Sequence, residues 1–436
     1  MTPATATLFL SALLAAPLAA QGTEAPASRP VLTEEEKRLE GKAKELLDTA
    51  EDVQAEVEKL CGQRFEHPVK KGVHGEAELR EFIVAKLREE YGDGKLERSQ
   101  YMLRTMGFIP PDMDLEKAFL EVLLSQIGGF YDPERKQFFM MLRSAAMGEF
   151  ANRTVIAHEL THALDDQLYG LGDRMKPGLS EDAGFAVGAV AEGSATCLMM
   201  RWGVANQGKY DMKEMLESQK EEMERNLVFM QAPPYFHTML ARYMMGMYFL
   251  TKGKGPTALV QARNGVRDAV GAAFGEMPRS SEQILHPDKY WDPQRRDLPV
   301  VLADEEAFAR IVAGRCDLPV ADEDTLGELL CSVLGKKHRK KYDENLMAAL
   351  SALMMQPRYW VHASGRGLGG DRVFIMARTR KAPEALLWVT FWDTAGDAQE
   401  FADCYAKQAG KGLGYGQAVG PPGRGVRLRE VGGQGR

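Results

Sequence analysis

Residues 158–162 read His-Glu-Leu-Thr-His, two histidines four positions apart with a glutamate directly after the first. On a helix, positions i and i+4 lie one above the other on the same face. His158 and His162 can therefore offer two imidazole nitrogens to one Zn²⁺. Glu159 stands beside them, within reach of a zinc-bound water, as general base. Val155, Ile156, Leu160, Ala163, Leu164 and Leu168 supply apolar faces for such a helix, and Asn152 is the expected N-cap. With 8 histidines in 436 residues, the pattern arises by chance in about 1% of such chains.

A catalytic zinc needs a third protein ligand and one open position. Glu192 lies inside residues 184–200 (GFAVGAVAEGSATCLMM), an almost wholly apolar stretch. A carboxylate buried there needs a partner. Zinc is one; an arginine such as Arg201 or Arg242 is the other. Gly188, Ala189, Gly193 and Ala195 are expected to let this helix approach the motif helix closely. Asp182 is the rival third ligand, although with Glu181 after Ser180 it also reads as a first-turn acid. The expected set is thus His158, His162 and Glu192 on one Zn²⁺, with Glu159 catalytic. Asp165 and Asp166 stand i+3 and i+4 from His162. Either can orient an imidazole, or simply end the helix in solvent. Candidate donors to a tetrahedral oxyanion are His237, Tyr235, Tyr243 and His286, although each taken singly reads better as a packing or capping residue.

Positioning these groups takes a mainly helical chain. Apolar residues at helical spacing predict one helix over 33–60, with Thr33 and Glu36 as a capping box, and others over 75–90 and 114–126. One strand is expected within 64–73. Gly128 to Leu142 reads as a β-hairpin turning at Asp132-Pro133-Glu134-Arg135. Its second strand, 137–142, is expected at the sheet edge, open to an extended substrate. Helices return over 152–275. Further on, helices are expected at 324–334, 344–355 and 395–408, and strands at 372–379 and 386–391. The fold class is α+β: a zincin-like catalytic domain with its hairpin and edge strand before the HExxH helix, plus a small C-terminal α+β domain. The expected division is a signal peptide over 1–20, a flexible leader over 21–31, the catalytic domain over 32–286, a linker over 287–305, the small domain over 306–409 and a Gly-rich tail over 410–436.

Composition narrows the function. Apolar residues make up 44% of the chain, which excludes general disorder. The net charge of −7 argues against a nucleic-acid partner, because phosphate binding needs a basic field. Residues 8–20 (LFLSALLAAPLAA) fit a secretory signal cleaved near Ala20, so the protein is expected to be secreted, or periplasmic and bound for the cell envelope. After this segment no apolar run suggests a membrane span. Five cysteines are too few for a disulfide scaffold. Cys316 and Cys331 are the nearest pair in sequence, and spacing alone does not bridge them. Oligomeric state is not legible.

HExxH with a downstream helical glutamate resembles the gluzincin branch of the zinc metallopeptidases. Residues 128–140, 156–167, 189–195, 280–290 and 388–402 are also similar to a family of uncharacterised bacterial and archaeal metallopeptidase-like proteins. The resemblance implies a zincin-like fold and a zinc site; with the signal segment, the expected function is a secreted zinc endopeptidase acting on peptide or protein substrates. Two other functions remain in play: a non-catalytic, zinc-stabilised binding protein, and a zinc hydrolase acting on something other than peptides.

Overall fold

The computed structural model describes residues 33–92, 94–175, 178–215, 229–261, 265–300, 318–334, 336, 349–350, 352–379, 382–409 and 429–430. The expected signal peptide and leader, Cys316 and most of the Gly-rich tail lie outside these residues. The described chain is mainly helical with two small sheets.

Thr33 closes the predicted capping box. Its N–H donates to Glu36 Oε2 at 2.7 Å, and its hydroxyl accepts from the Glu36 N–H at 3.2 Å. The helix expected over 33–60 is two helices, α1 (Glu34–Asp48) and α2 (Ala50–Cys61). At Thr49 the hydroxyl and the N–H both donate to Leu46 O, which interrupts the regular ladder. The apolar stripe survives the break: Ala43, Leu47, Ala50, Val53 and Val57 are all buried. α3 (Glu76–Glu90) and α5 (Leu115–Gln126) match their expected spans. Between them lies α4 (Lys95–Met106), which the apolar pattern did not reveal.

The hairpin forms as read. Asp132 Oδ1 accepts from the N–H groups of Glu134 and Arg135, and Lys136 takes φ 51° to close the turn. With β1 (Lys70–His74), its strands β2 (Gly129–Asp132) and β3 (Gln137–Met141) make a sheet of order β1-β3-β2. β1 runs parallel to β3 and β2 antiparallel to it. β3 is therefore the central strand, not the edge that its position before the motif suggested. Its composition explains this. Phe138, Phe139, Met140 and Met141 are all buried, as befits a strand covered on both faces, whereas β1 carries Lys70, Lys71 and His74.

The motif helix is α6 (Glu149–Tyr169). Its N-cap is Gly148, not Asn152. The Asn152 amide instead donates to Met147 O at 3.0 Å and Gly148 O at 3.2 Å from within the first turn. α7 (Glu181–Asn206) starts at Ser180, whose Oγ accepts from the Ala183 N–H. With its last turn, to Lys209, it is long and apolar enough to cross a membrane, yet most of it is buried inside the protein. α7 crosses α8 (Pro234–Leu250) backbone to backbone. A Cβ on Gly246 would stand 1.9 Å from Ala189 O, and one on Gly193 would stand 2.3 Å from the Gly246 carbonyl carbon. These small residues serve the α8 crossing rather than the approach to α6 expected from sequence. Gly188 likewise faces Arg242.

In the C-terminal part, β4 (Val320–Asp324), β5 (Leu368–Met376), β6 (Ala385–Trp392) and β7 (Arg429–Glu430) form an antiparallel sheet in that order. β4 was not anticipated. The helix Ala395–Ala409 lays Phe401 and Tyr405 against Trp388 of β6. Two short helices, Ser281–Leu285 and Gly327–Leu334, meet at the junction with the metal-motif part. There the Glu181 N–H donates to Asp324 Oδ1 and the Asp182 N–H to Thr325 O. Ser281 N–H donates to Asp182 Oδ1, and His286 Nε2 pairs with Glu328 Oε1 at 2.9 Å. The segment expected as a linker is docked as far as it is described. Lys289 reaches Glu282, Asp297 and Asp393, and the Val300 N–H donates to Gly369 O.

Two predictions follow from this packing. Gly246→Ala forces a methyl group into a backbone, so it should cost about 1–3 kcal/mol in a chemical unfolding titration; an unchanged midpoint would contradict the crossing. The junction should also loosen as pH rises. Burial pushes Asp182 up to about 7 and Glu282, despite Lys289, up to about 7. Burial lowers His286, but Glu328 more than reverses this and raises it. Each group holds its proton more tightly folded than unfolded, so its contribution is present at low pH and lost as pH climbs through the folded pKa. The melting temperature should fall between about pH 5 and 8, and Glu282→Gln should flatten that slope; a rising profile would contradict the assignment.

Candidate metal centre

α6 presents His158 and His162 one turn apart, and α7 brings Glu192 to meet them. His158 Nε2 lies 3.1 Å from Glu192 Oε2 and 3.2 Å from His162 Nε2. His162 Nε2 lies 3.5 Å from the same carboxylate oxygen. Ligands about 2.0–2.1 Å from a tetrahedral zinc stand about 3.3 Å from one another, so the three edges bracket the spacing such an ion imposes. Among the described residues no cysteine or further histidine joins this cluster. The described residues therefore offer three atoms at zinc-ligand spacing and no fourth.

The surroundings are dry. Exposure is 1% for His158, 3% for His162 and 0% for both Glu159 and Glu192. Glu192 Oε1 and both imidazole Nδ1 atoms are buried without a hydrogen-bond partner. Orphaned polar atoms of this kind are costly in a core unless an ion or water joins them. Burial pushes the Glu192 carboxyl up, but the two histidines override it and hold the group below its ordinary range. Burial pushes His162 down, and Glu192, with help from Glu159 and Asp165, reverses this and raises it. His158 is lowered, by burial first and then by His162. Glu159 follows His158 directly in α6 and is wholly buried beside the cluster.

Other expected residues separate. Asp182 lies at the far end of α7 and holds Ser281, so it is not the third ligand. The acids after the motif do not orient the imidazoles. Asp166 accepts from the Tyr131 hydroxyl at 2.8 Å, Lys136 Nζ at 2.6 Å and the Gly172 N–H at 3.0 Å. Asp165 pairs with Arg267. Of the four candidate oxyanion donors, only Tyr243 reaches the centre, its ring stacked on His158 at 5.8 Å. His237 Nε2 meets Phe229 O, Tyr235 packs among Phe108, Phe119 and Phe236, and His286 is bound to Glu328. Arg267 was missed from sequence. Nothing in its helical context marks it as a partner of residues 73 and 102 positions away.

A family model described as a domain of unknown function, DUF8575, matches residues 318–429. That span holds the described C-terminal sheet up to Arg429 and leaves the metal centre outside it. No curated protein and no solved structure matches the chain significantly. The chemistry of the site therefore rests on its own geometry.

That geometry predicts one tightly held zinc per chain. Glu192→Gln should lose it on dialysis against a mild chelator, while Asp182→Asn should keep it, as metal analysis would record. Zinc retained by Glu192→Gln and lost by Asp182→Asn would reverse the assignment.

Proposed function

We propose that this chain is a zinc-dependent peptidase of gluzincin type, secreted or periplasmic, that cleaves peptide or protein substrates. The observation that carries the reading is the convergence of His158, His162 and Glu192 at zinc-ligand spacing with no fourth protein ligand among the described residues. A zinc ion held there supplies Lewis acidity, polarising a carbonyl and bringing the pKa of a water towards about 7. Glu159 then takes the proton from the attacking water and passes it to the leaving amine. Its burial keeps competing solvent away from that proton. Tyr243, stacked on His158, fixes the ring plane and brings a hydroxyl-bearing side chain to the centre. Secretion rests on the apolar segment 8–20, which lies outside the described residues.

Complete burial of the centre favours one competing reading, a structural zinc in a non-catalytic binding protein. Two features weigh against it. Structural sites generally close their fourth position with cysteine or histidine. Glu159 would also be a buried acid beside the ion without a ligating task.

Glu159→Gln separates the readings. It should retain zinc and fold while hydrolysis of casein or a peptide library falls by about 10²–10⁴-fold. Unchanged turnover would remove Glu159 from its role. A wild-type protein that unfolds on chelation and never cleaves any peptide would favour the structural reading.

A further inference from the structure

Arg267 lies on α9, the helix Gly265–Gly275, and is only 5% exposed. Its guanidinium spends all three nitrogens on different segments. Nη2 donates to Asp165 Oδ1 at 2.6 Å, Nη1 to Ser194 Oγ at 2.8 Å and Nε to Gln63 Oε1 at 2.7 Å. Asp165 is three residues beyond His162 on α6, and Ser194 is two residues beyond Glu192 on α7. One side chain thus joins the helix that offers both imidazoles to the helix that offers the carboxylate. The clamp is itself held. Gln63 Nε2 donates to the Tyr169 hydroxyl at 2.9 Å, and the Tyr169 ring stacks on Phe274 of α9 at 4.9 Å. The Arg267 guanidinium also lies over the Tyr169 ring, 5.9 Å from its centroid.

A buried ion pair is a poor device for stability alone, since apolar residues of similar volume often do as well or better. Its advantage is geometric: a planar fork fixes direction as well as distance. Here the fork spans the two helices whose separation sets the His162–Glu192 distance.

We propose that Arg267 is a positioning residue of the metal centre: through Asp165 and Ser194 it sets the spacing of α6 and α7 at which His158, His162 and Glu192 share one ion. The inference rests on the zinc reading of that centre, but not on peptidase activity.

The test measures zinc affinity by chelator competition, and the visible spectrum of the Co²⁺-substituted protein, for wild type, Arg267→Met, Arg267→Lys and Ser194→Ala. Arg98→Met is the control, because Arg98 makes a part-buried pair with Asp322 at 2.7 Å and neither residue belongs to the cluster. Arg267→Met should bind zinc about 10- to 100-fold more weakly, with an altered Co²⁺ spectrum. Lysine at 267 should recover part of the loss, and Ser194→Ala should show a smaller one. Arg98→Met should lower the melting temperature yet leave zinc affinity within about twofold of wild type. Wild-type affinity in Arg267→Met would overturn the proposal. So would an equal loss of zinc in Arg98→Met, since that would reduce Arg267 to general stability. Should Arg267→Met fail to fold, unaltered affinity in both Arg267→Lys and Ser194→Ala would overturn it. A wild-type protein that binds no zinc would instead overturn the metal centre itself, a result distinct from the others.

Discussion

Three groups that each prefer water are pressed to within 3.5 Å of one another in a core that admits almost none. Taking an ionised group out of water costs several kcal/mol, even after the protein relaxes around it. The two imidazole nitrogens and the carboxylate oxygen stand at the corners of a triangle with edges of 3.1, 3.2 and 3.5 Å. A divalent cation satisfies all three lone pairs at once. The fold brings these groups together and holds them there, so the remaining architecture is best understood as the means of doing so.

The means are close packing and buried polar contacts at different places along α7. Near Glu192, the Gly193–Gly246 crossing lets α8 lie directly on the α7 backbone, and Arg267 ties the next turn to α6. At the N-terminus of α7, ten residues and about 15 Å of helix from Glu192, β4 and the loop after it accept the first N–H groups. The C-terminal unit, matched by a family of unknown function, therefore caps the helix that carries Glu192. Acids from both sides are buried at that junction, Glu328 facing His286 and Glu282 facing Lys289.

The His158–His162–Glu192 cluster was legible because its signals are local or compositional. HExxH is read from one helical turn, and Glu192 from the improbability of a lone acid in an apolar run. The hairpin followed from turn residues between apolar strands. What stayed hidden depends on partners distant in sequence. β3 looked like an edge strand until β1, 67 residues earlier, paired with it. The small residues of α7 announced a close approach that was assigned to α6, whereas Gly188 and Gly193 face α8. Asp165 and Asp166 stood at the right offsets to orient His162, yet Arg267 and Tyr131 claimed them. α4 escaped because Arg98, Met102, Leu103 and Met106 bury a stripe that includes a charged residue, and its Asp322 partner lies 224 positions away.

X-ray absorption at the zinc edge of the purified protein tests the centre most directly. The account predicts two nitrogen scatterers with imidazole character at about 2.0–2.1 Å and carboxylate oxygen at about 2.0–2.2 Å, with no sulfur near about 2.3 Å. A sulfur shell, or zinc surrounded by water oxygens without imidazole scattering, would contradict it.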